Sequence, residues 1–344
     1  MKFILLFIII YLCNISAFVY SKLSTKLSSF SNIKLYNQKS IDANLYNTKI
    51  IKSNKFTNFL HIIRYKNILP TILLSFTGAW IVTPSVKLFN SISFIVSLVI
   101  TLFIMASSMI INDIFDINVD KINNPSRPLV TGKIKLYEAC LYFISLITLT
   151  EFLNIKFLSK KLQNIVHIAI GVITLYTPVL KKIFFIKNIS CASLVAFGIY
   201  FAGLASNNSN IILTQNISLL YVATRLIFLG SLYNELLLDM YDSEGDNLHK
   251  IYTIPVIFGL RFSLIIASII LFINVIINYI SLSSIFTKNI ALFLILICSY
   301  MFVDIYNIHK HNYSKNTIYK AVKNTNKPLF LSLIFLSILS YYNK

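Results

Sequence analysis

From residue 65 onward the chain alternates long apolar runs with short connections rich in lysine and arginine. A helix needs roughly 20 mainly apolar residues to cross a bilayer. Runs of about that size fall near 67–84, 92–111, 136–156, 163–180, 189–206, 217–237, 254–282, 289–305 and 328–341. The seventh is longer than a bilayer requires, so tilt or extension past the hydrocarbon is expected there, while the ninth is short. No long Gly-, Ser- or Pro-rich linker interrupts this stretch. The pattern predicts an all-α polytopic membrane protein, with nine transmembrane helices in one bundle over residues 63–344.

The first sixty residues follow a different rule. Lys2 leads an apolar run from Phe3 to Cys13, and small or polar residues continue to Ser21, which reads as a secretory signal over residues 1–21. Residues 22–62 read as a transit or disordered leader: from Lys22 to Lys55 the chain is rich in Lys, Ser and Asn, with Asp42 as the only acid. A signal followed by a transit segment resembles the bipartite leaders that direct proteins to plastids bounded by extra membranes, so the expected location is a complex-plastid membrane. A plain secretory signal followed by a disordered linker is the alternative.

Composition agrees with the membrane reading and excludes an ordinary soluble domain: 56% of residues are hydrophobic, 14% aromatic, and the mean hydropathy is +0.74. The four cysteines, at 13, 140, 191 and 298, are isolated in apolar stretches and read as packing residues. The five histidines form no zinc-type spacing.

Charge changes the picture most. The chain carries a formal charge of +19, yet seven of its twelve acidic residues sit in two short windows, one from Asn112 to Asp120 and the other from Asp239 to Asp246. Each window repeats aspartates at i, i+3 and i+7, as 113, 116, 120 and as 239, 242, 246. On a helix these offsets fall within about 60° of one another, so each window can present a carboxylate stripe. Four predicted spans separate the windows, an even number, so both emerge on the same face of the membrane. The lysine and arginine bias of the loops places that face toward the positive-inside compartment.

Two facing stripes would make a cage of oxygen ligands for a hard divalent cation such as Mg²⁺, with Asn112 adding a neutral oxygen. Mg²⁺ is usually held by one or two carboxylates together with substrate phosphates, so a diphosphate substrate is expected, its organic half lying between apolar helices. Arg127 and Lys181, with Tyr176 nearby, could stabilise charge on a departing diphosphate. Basic residues at span ends also serve as orientation signals and snorkelling anchors, and a tyrosine there as an interfacial belt residue. Glu235, one turn before Asp239, is either a supporting ligand or a helix-end polar residue. A cation- or proton-coupled transporter is the reading from another class, although transporters place ionisable sites near the bilayer midplane rather than at span ends.

The two windows resemble the signatures of the UbiA superfamily of intramembrane prenyltransferases. The first signature, NDxxDxxxD followed by RP and a small residue with glycine, is matched by Asn112, Asp113, Asp116, Asp120, Arg127, Pro128, Thr131 and Gly132. The second, DxxDxEGD followed by TLP and a glycine, is matched by Asp239, Asp242, Glu244, Gly245, Asp246, Thr253, Ile254, Pro255 and Gly259. Tyr176 to Lys181 is similar to a Tyr-to-Lys element after the family's fourth span. Ile117 stands where many members have arginine, and Arg64-Tyr65 where an Arg-Pro pair is common.

The resemblance implies that Asn112, Asp116, Asp120, Asp239, Asp242 and Asp246 surround Mg²⁺. It further implies that Arg127, Tyr176 and Lys181 handle the diphosphate, and that an allylic cation is captured by an acceptor. The expected partners are a prenyl diphosphate, an aromatic or tetrapyrrole acceptor and membrane lipid, with no nucleic acid. Homogentisate, as in quinone and tocopherol biosynthesis, is the favoured acceptor. Chlorophyllide, the acceptor of chlorophyll synthase, and geranylgeranylglyceryl phosphate are the alternatives.

Overall fold

The computed structural model describes residues 54–207, 214–248 and 251–342. The predicted signal at 1–21 and most of the predicted transit segment lie outside the described residues. Residues 54–62, assigned to the leader on composition, instead form a helix of the folded unit, α1 (Lys55–Ile62), capped by the Asn54 side chain. It is retained because Ile62 and Ile63 bury themselves against Ala106, Ile110 and Ala139.

The remaining helices are α2 (Ile68–Val82), α3 (Ile92–Phe115), α4 (Ile117–Asn123), α5 (Leu136–Phe157), α6 (Lys160–Tyr176), α7 (Ile186–Ser206), α8 (Thr214–Leu248), α9 (Ile254–Ile285), α10 (Lys288–Lys310) and α11 (Lys315–Tyr342). Each of the nine predicted apolar runs lies on one of them, but six are long and apolar enough to cross a bilayer: α3, α5, α7, α8, α9 and α10. At about 1.5 Å per residue, the 15 residues of α2 and the 17 of α6 fall short of a hydrocarbon core of roughly 30 Å. The first half of α11 is too rich in lysine to be counted whole. Among the described residues, length and composition thus support six spans of the nine expected.

α8 is the central helix, packed against α7, α9, α11 and α2, while α3 packs against α5 and α7. A side chain on Gly78 would meet the main chain of Ile199, so glycine is what lets α2 and α7 touch. Leu69, Phe272 and Leu296 stand exposed on the outer surface, as expected of an integral membrane protein whose solvent there is lipid.

Two breaks shape the ends that carry charge. α3 gives way to α4 at Asp116, whose φ of −89° and ψ of 7° leave the helical range. The first aspartate stripe is thus split, with Asp113 on α3, Asp116 at the joint and Asp120 on α4, rather than carried by one helix. The second stripe lies on the unbroken α8. α9 is interrupted at Gly259, where φ of 82° and ψ of 164° belong to a region that only glycine occupies readily.

Candidate functional site

Both windows lie at one end of the bundle, tied to the short connection between α6 and α7. Lys181, just past α6, donates to an Asp116 carboxylate oxygen. Six residues later, Lys187 donates to Asp239 at 2.6 Å, and the neighbouring Asn188 amide donates to the other oxygen at 2.8 Å. Phe185, immediately before α7, adopts a left-handed φ of 61° and turns the chain between these two contacts.

Asp113 is buried at 2% exposure and accepts from two arginines. Arg64 Nη2 reaches it at 3.1 Å, and Arg127 Nη1 is its second partner. The same Arg127 nitrogen lies 3.1 Å from Asp120 Oδ2. Arg64 itself has a left-handed φ of 52° between α1 and α2. Two of the non-glycine residues with positive φ thus flank this cluster, where strained backbone has a purpose. Lys187 and Asn188 are not singled out by the sequence, and Arg64 is noted there only as a departure from the family's Arg-Pro pair. The signal for Lys187 is position alone, a further lysine six residues beyond Lys181.

The expected carboxylate cage is not gathered at one point. Among the described residues, no three carboxylate, thiol or imidazole groups converge closely enough to form a metal site. Like charges repel, and here Arg64, Arg127, Lys181 and Lys187 stand among the acids and neutralise them. Asp242 is exposed, and Asp246 keeps a buried Oδ2 without a hydrogen-bond partner.

The donors nevertheless suit Mg²⁺. All six candidate ligands offer carboxylate or amide oxygen, and an orphaned carboxylate oxygen is available at Asp246. Sparse protein ligation is the habit of Mg²⁺, which completes its shell with substrate phosphates and water. Asp116, Asp120, Asp239, Asp242, Asp246 and Asn112 are the residues that would hold it. When bound, the ion would neutralise diphosphate oxygens and make diphosphate a better leaving group.

Between the windows lies a cavity of about 450 Å³, lined by residues of α2, α3, α6, α7 and α8. Asn112 of the first window and Glu235, one turn before the second, are both on its wall, as are Arg64 and Tyr176. Its deeper lining is apolar, with Leu74, Ile104, Ile173 and Phe197. Cys191 donates its thiol proton to the Tyr176 oxygen at 3.0 Å. A charged rim over an apolar chamber matches a molecule with an anionic head and a hydrocarbon tail.

The model of the UbiA prenyltransferase family matches residues 68–334. A digeranylgeranylglyceryl phosphate synthase from Methanosphaera stadtmanae is 30% identical over 218 residues, which are 62% of this chain and 75% of that one. A solved structure of a digeranylgeranylglyceryl phosphate synthase in membranes aligns with a TM-score of 0.66 at 25% identity, over 84% of this chain and 99% of the other. A UbiA homologue from Archaeoglobus fulgidus, solved with GPP and Mg²⁺, shares the fold with a TM-score of 0.61 at 20% identity, over 83% of this chain and 99% of its own.

Proposed function

Starting from a chain that belongs to the UbiA prenyltransferase family and is a prenyltransferase, we propose that it transfers a polyprenyl group from its diphosphate to the hydroxyl of a prenylated glyceryl phosphate. Mg²⁺ is its metal in this reading. The observation that carries the reaction type is a cavity whose wall joins Asn112 of the first window to Glu235, one turn before the second. The relatives named as digeranylgeranylglyceryl phosphate synthases support the glyceryl-phosphate acceptor over homogentisate, which the sequence had favoured, and over chlorophyllide. Those relatives are archaeal and lend no support to a plastid location.

In this reading Asp116, Asp120, Asp239, Asp242, Asp246 and Asn112 hold the metal-bound diphosphate. Lys181 starts on Asp116 and is within reach of a diphosphate bound at the same carboxylate, where a mobile ammonium can follow negative charge as it moves to the leaving group. Arg127 is engaged by Asp113 and Asp120, so its first task is to hold the split window together, with its remaining donors free to face the diphosphate. Tyr176 lines the chamber beneath. The apolar walls exclude water, so the allylic cation meets the acceptor before it meets a hydroxide.

The test is product analysis by mass for the full chain in liposomes, with geranylgeranyl diphosphate, Mg²⁺ and a panel of geranylgeranylglyceryl phosphate, homogentisate and chlorophyllide. A Mg²⁺-dependent ether with the glyceryl phosphate is expected. A prenylated aromatic or tetrapyrrole product in its place would reassign the acceptor.

A further inference from the structure

The cavity wall carries one carboxylate that neither window claims. Glu235 lies on α8 one helical turn before Asp239 and on the same face. That offset sets it about 6 Å along the helix axis from the window, toward the apolar chamber. Asp239 is held by Lys187 and Asn188. Glu235, in contrast, takes part in no ion pair among the described residues. The Cys191 thiol, which donates to Tyr176, shares the cavity wall with Glu235. Lys187, the cation whose field reaches Glu235, is itself paired with Asp239, and a carboxylate left without its own ion pair beside an apolar chamber is costly and by default points to function.

The chemistry leaves one task open. The C1–O bond of the prenyl diphosphate breaks and its electron pair departs on the diphosphate. A lone pair of the acceptor hydroxyl oxygen then forms the new C–O bond, and the O–H proton must leave. Asp116, Asp120 and Asp239 are paired with basic groups, and Asp242 and Asp246 are assigned to the metal in the proposed function. Glu235 faces the chamber in which the acceptor and the allylic carbon would meet.

We propose that Glu235 is the proton acceptor for the acceptor hydroxyl, placed on the chamber wall below the second window. The proton moves from the hydroxyl oxygen to a Glu235 carboxylate oxygen as the ether bond forms, and leaves later to water at the window end. This rests on the acceptor being a hydroxyl, as in the proposed function.

The experiment compares wild type, E235Q and E235D, each as the full chain in liposomes with Mg²⁺, geranylgeranyl diphosphate and geranylgeranylglyceryl phosphate, following ether by mass and diphosphate in parallel. E235Q keeps size and hydrogen-bonding capacity but cannot accept the proton, so ether formation should fall by about 100-fold, the usual scale of a lost general base. The ratio of diphosphate released to ether formed should rise, because a prenyl group that the acceptor no longer captures is lost slowly to water instead. E235D, which keeps the carboxylate at a shorter reach, should lie between the two. A thermal transition in detergent verifies that each variant is folded; should E235Q fail to fold, E235D carries the test, and wild-type ether formation in it with an unchanged ratio overturns the proposal. Undiminished ether from E235Q overturns it, as does an equal loss of ether and of acceptor-free diphosphate release, which would assign Glu235 to the metal and diphosphate. Absence of ether in the wild type removes the hydroxyl-acceptor reading itself and this inference with it.

Discussion

Asp113 and Asp116 stand three residues apart and do different work. Asp113 is buried between two arginines, whereas Asp116 is at the α3–α4 joint with a single lysine. Breaking a buried ion pair by removing one partner leaves an uncompensated charge and costs about 3 kcal/mol or more. Asp113→Asn is therefore expected to lower the thermal transition in detergent, and an unchanged transition would mean that solvent, not Asp113, satisfies Arg64 and Arg127. Asp116→Ala and Asp242→Ala should leave the fold in place and cut diphosphate release by about 100-fold or more, the scale of a lost electrostatic contact to the leaving group. Near-normal turnover in either would remove the metal-holding role. At this scale the sequence is informative where residues repeat at fixed spacing: the i, i+3, i+7 acids stand out directly, whereas Tyr176 and Lys181 are set apart from ordinary span-end residues only by the resemblance to the family. Lys187, Asn188 and Arg64 do not stand out, because their value depends on which helix ends meet, and a lone lysine at a span end looks the same whether it anchors or binds.

Among the elements, the apolar runs translated into helices because lipid leaves the backbone no other donors and acceptors than its own. Their bounds were less legible. α3 runs on to Phe115 and stops without a glycine or proline to mark the break, and α1 joins the folded unit through Ile62 and Ile63 although its composition continues that of the leader. The seventh run was read as one long span; Gly259 divides it, and the turn from Thr253 to Phe258 sits beside the second window, with Ile251 N–H donating to the Asp246 carbonyl at 2.8 Å. Gly259→Ala forces an L side chain into a conformation that costs about 1 to 3 kcal/mol. Since no neighbour crowds the position, the loss is expected to be backbone strain alone. The variant should melt earlier in detergent and require more Mg²⁺ for half-maximal diphosphate release. A wild-type melting curve and Mg²⁺ requirement would show that the turn tolerates another path.

For the whole molecule, the dispersed carboxylates make a specific thermodynamic expectation. A ligand that binds only the folded state stabilises it by RT ln(1 + [L]/Kd). No three acidic groups converge among the described residues, so Mg²⁺ alone should raise the melting temperature slightly. Mg²⁺ with prenyl diphosphate should raise it clearly more, and chelation by EDTA should abolish the difference. A full shift from Mg²⁺ alone would instead indicate a preassembled metal site. The connection between α6 and α7 has a further meaning at this scale. Lys181 and Lys187 reach Asp116 and Asp239 from opposite ends of the same six-residue interval. That interval serves as a ruler, setting the gap between the two halves of the molecule by counting residues. One residue inserted after Phe184 would add up to about 3.5 Å of chain between the two lysines, so this exposed turn, unlike most surface loops, should accept substitutions but not a change in length.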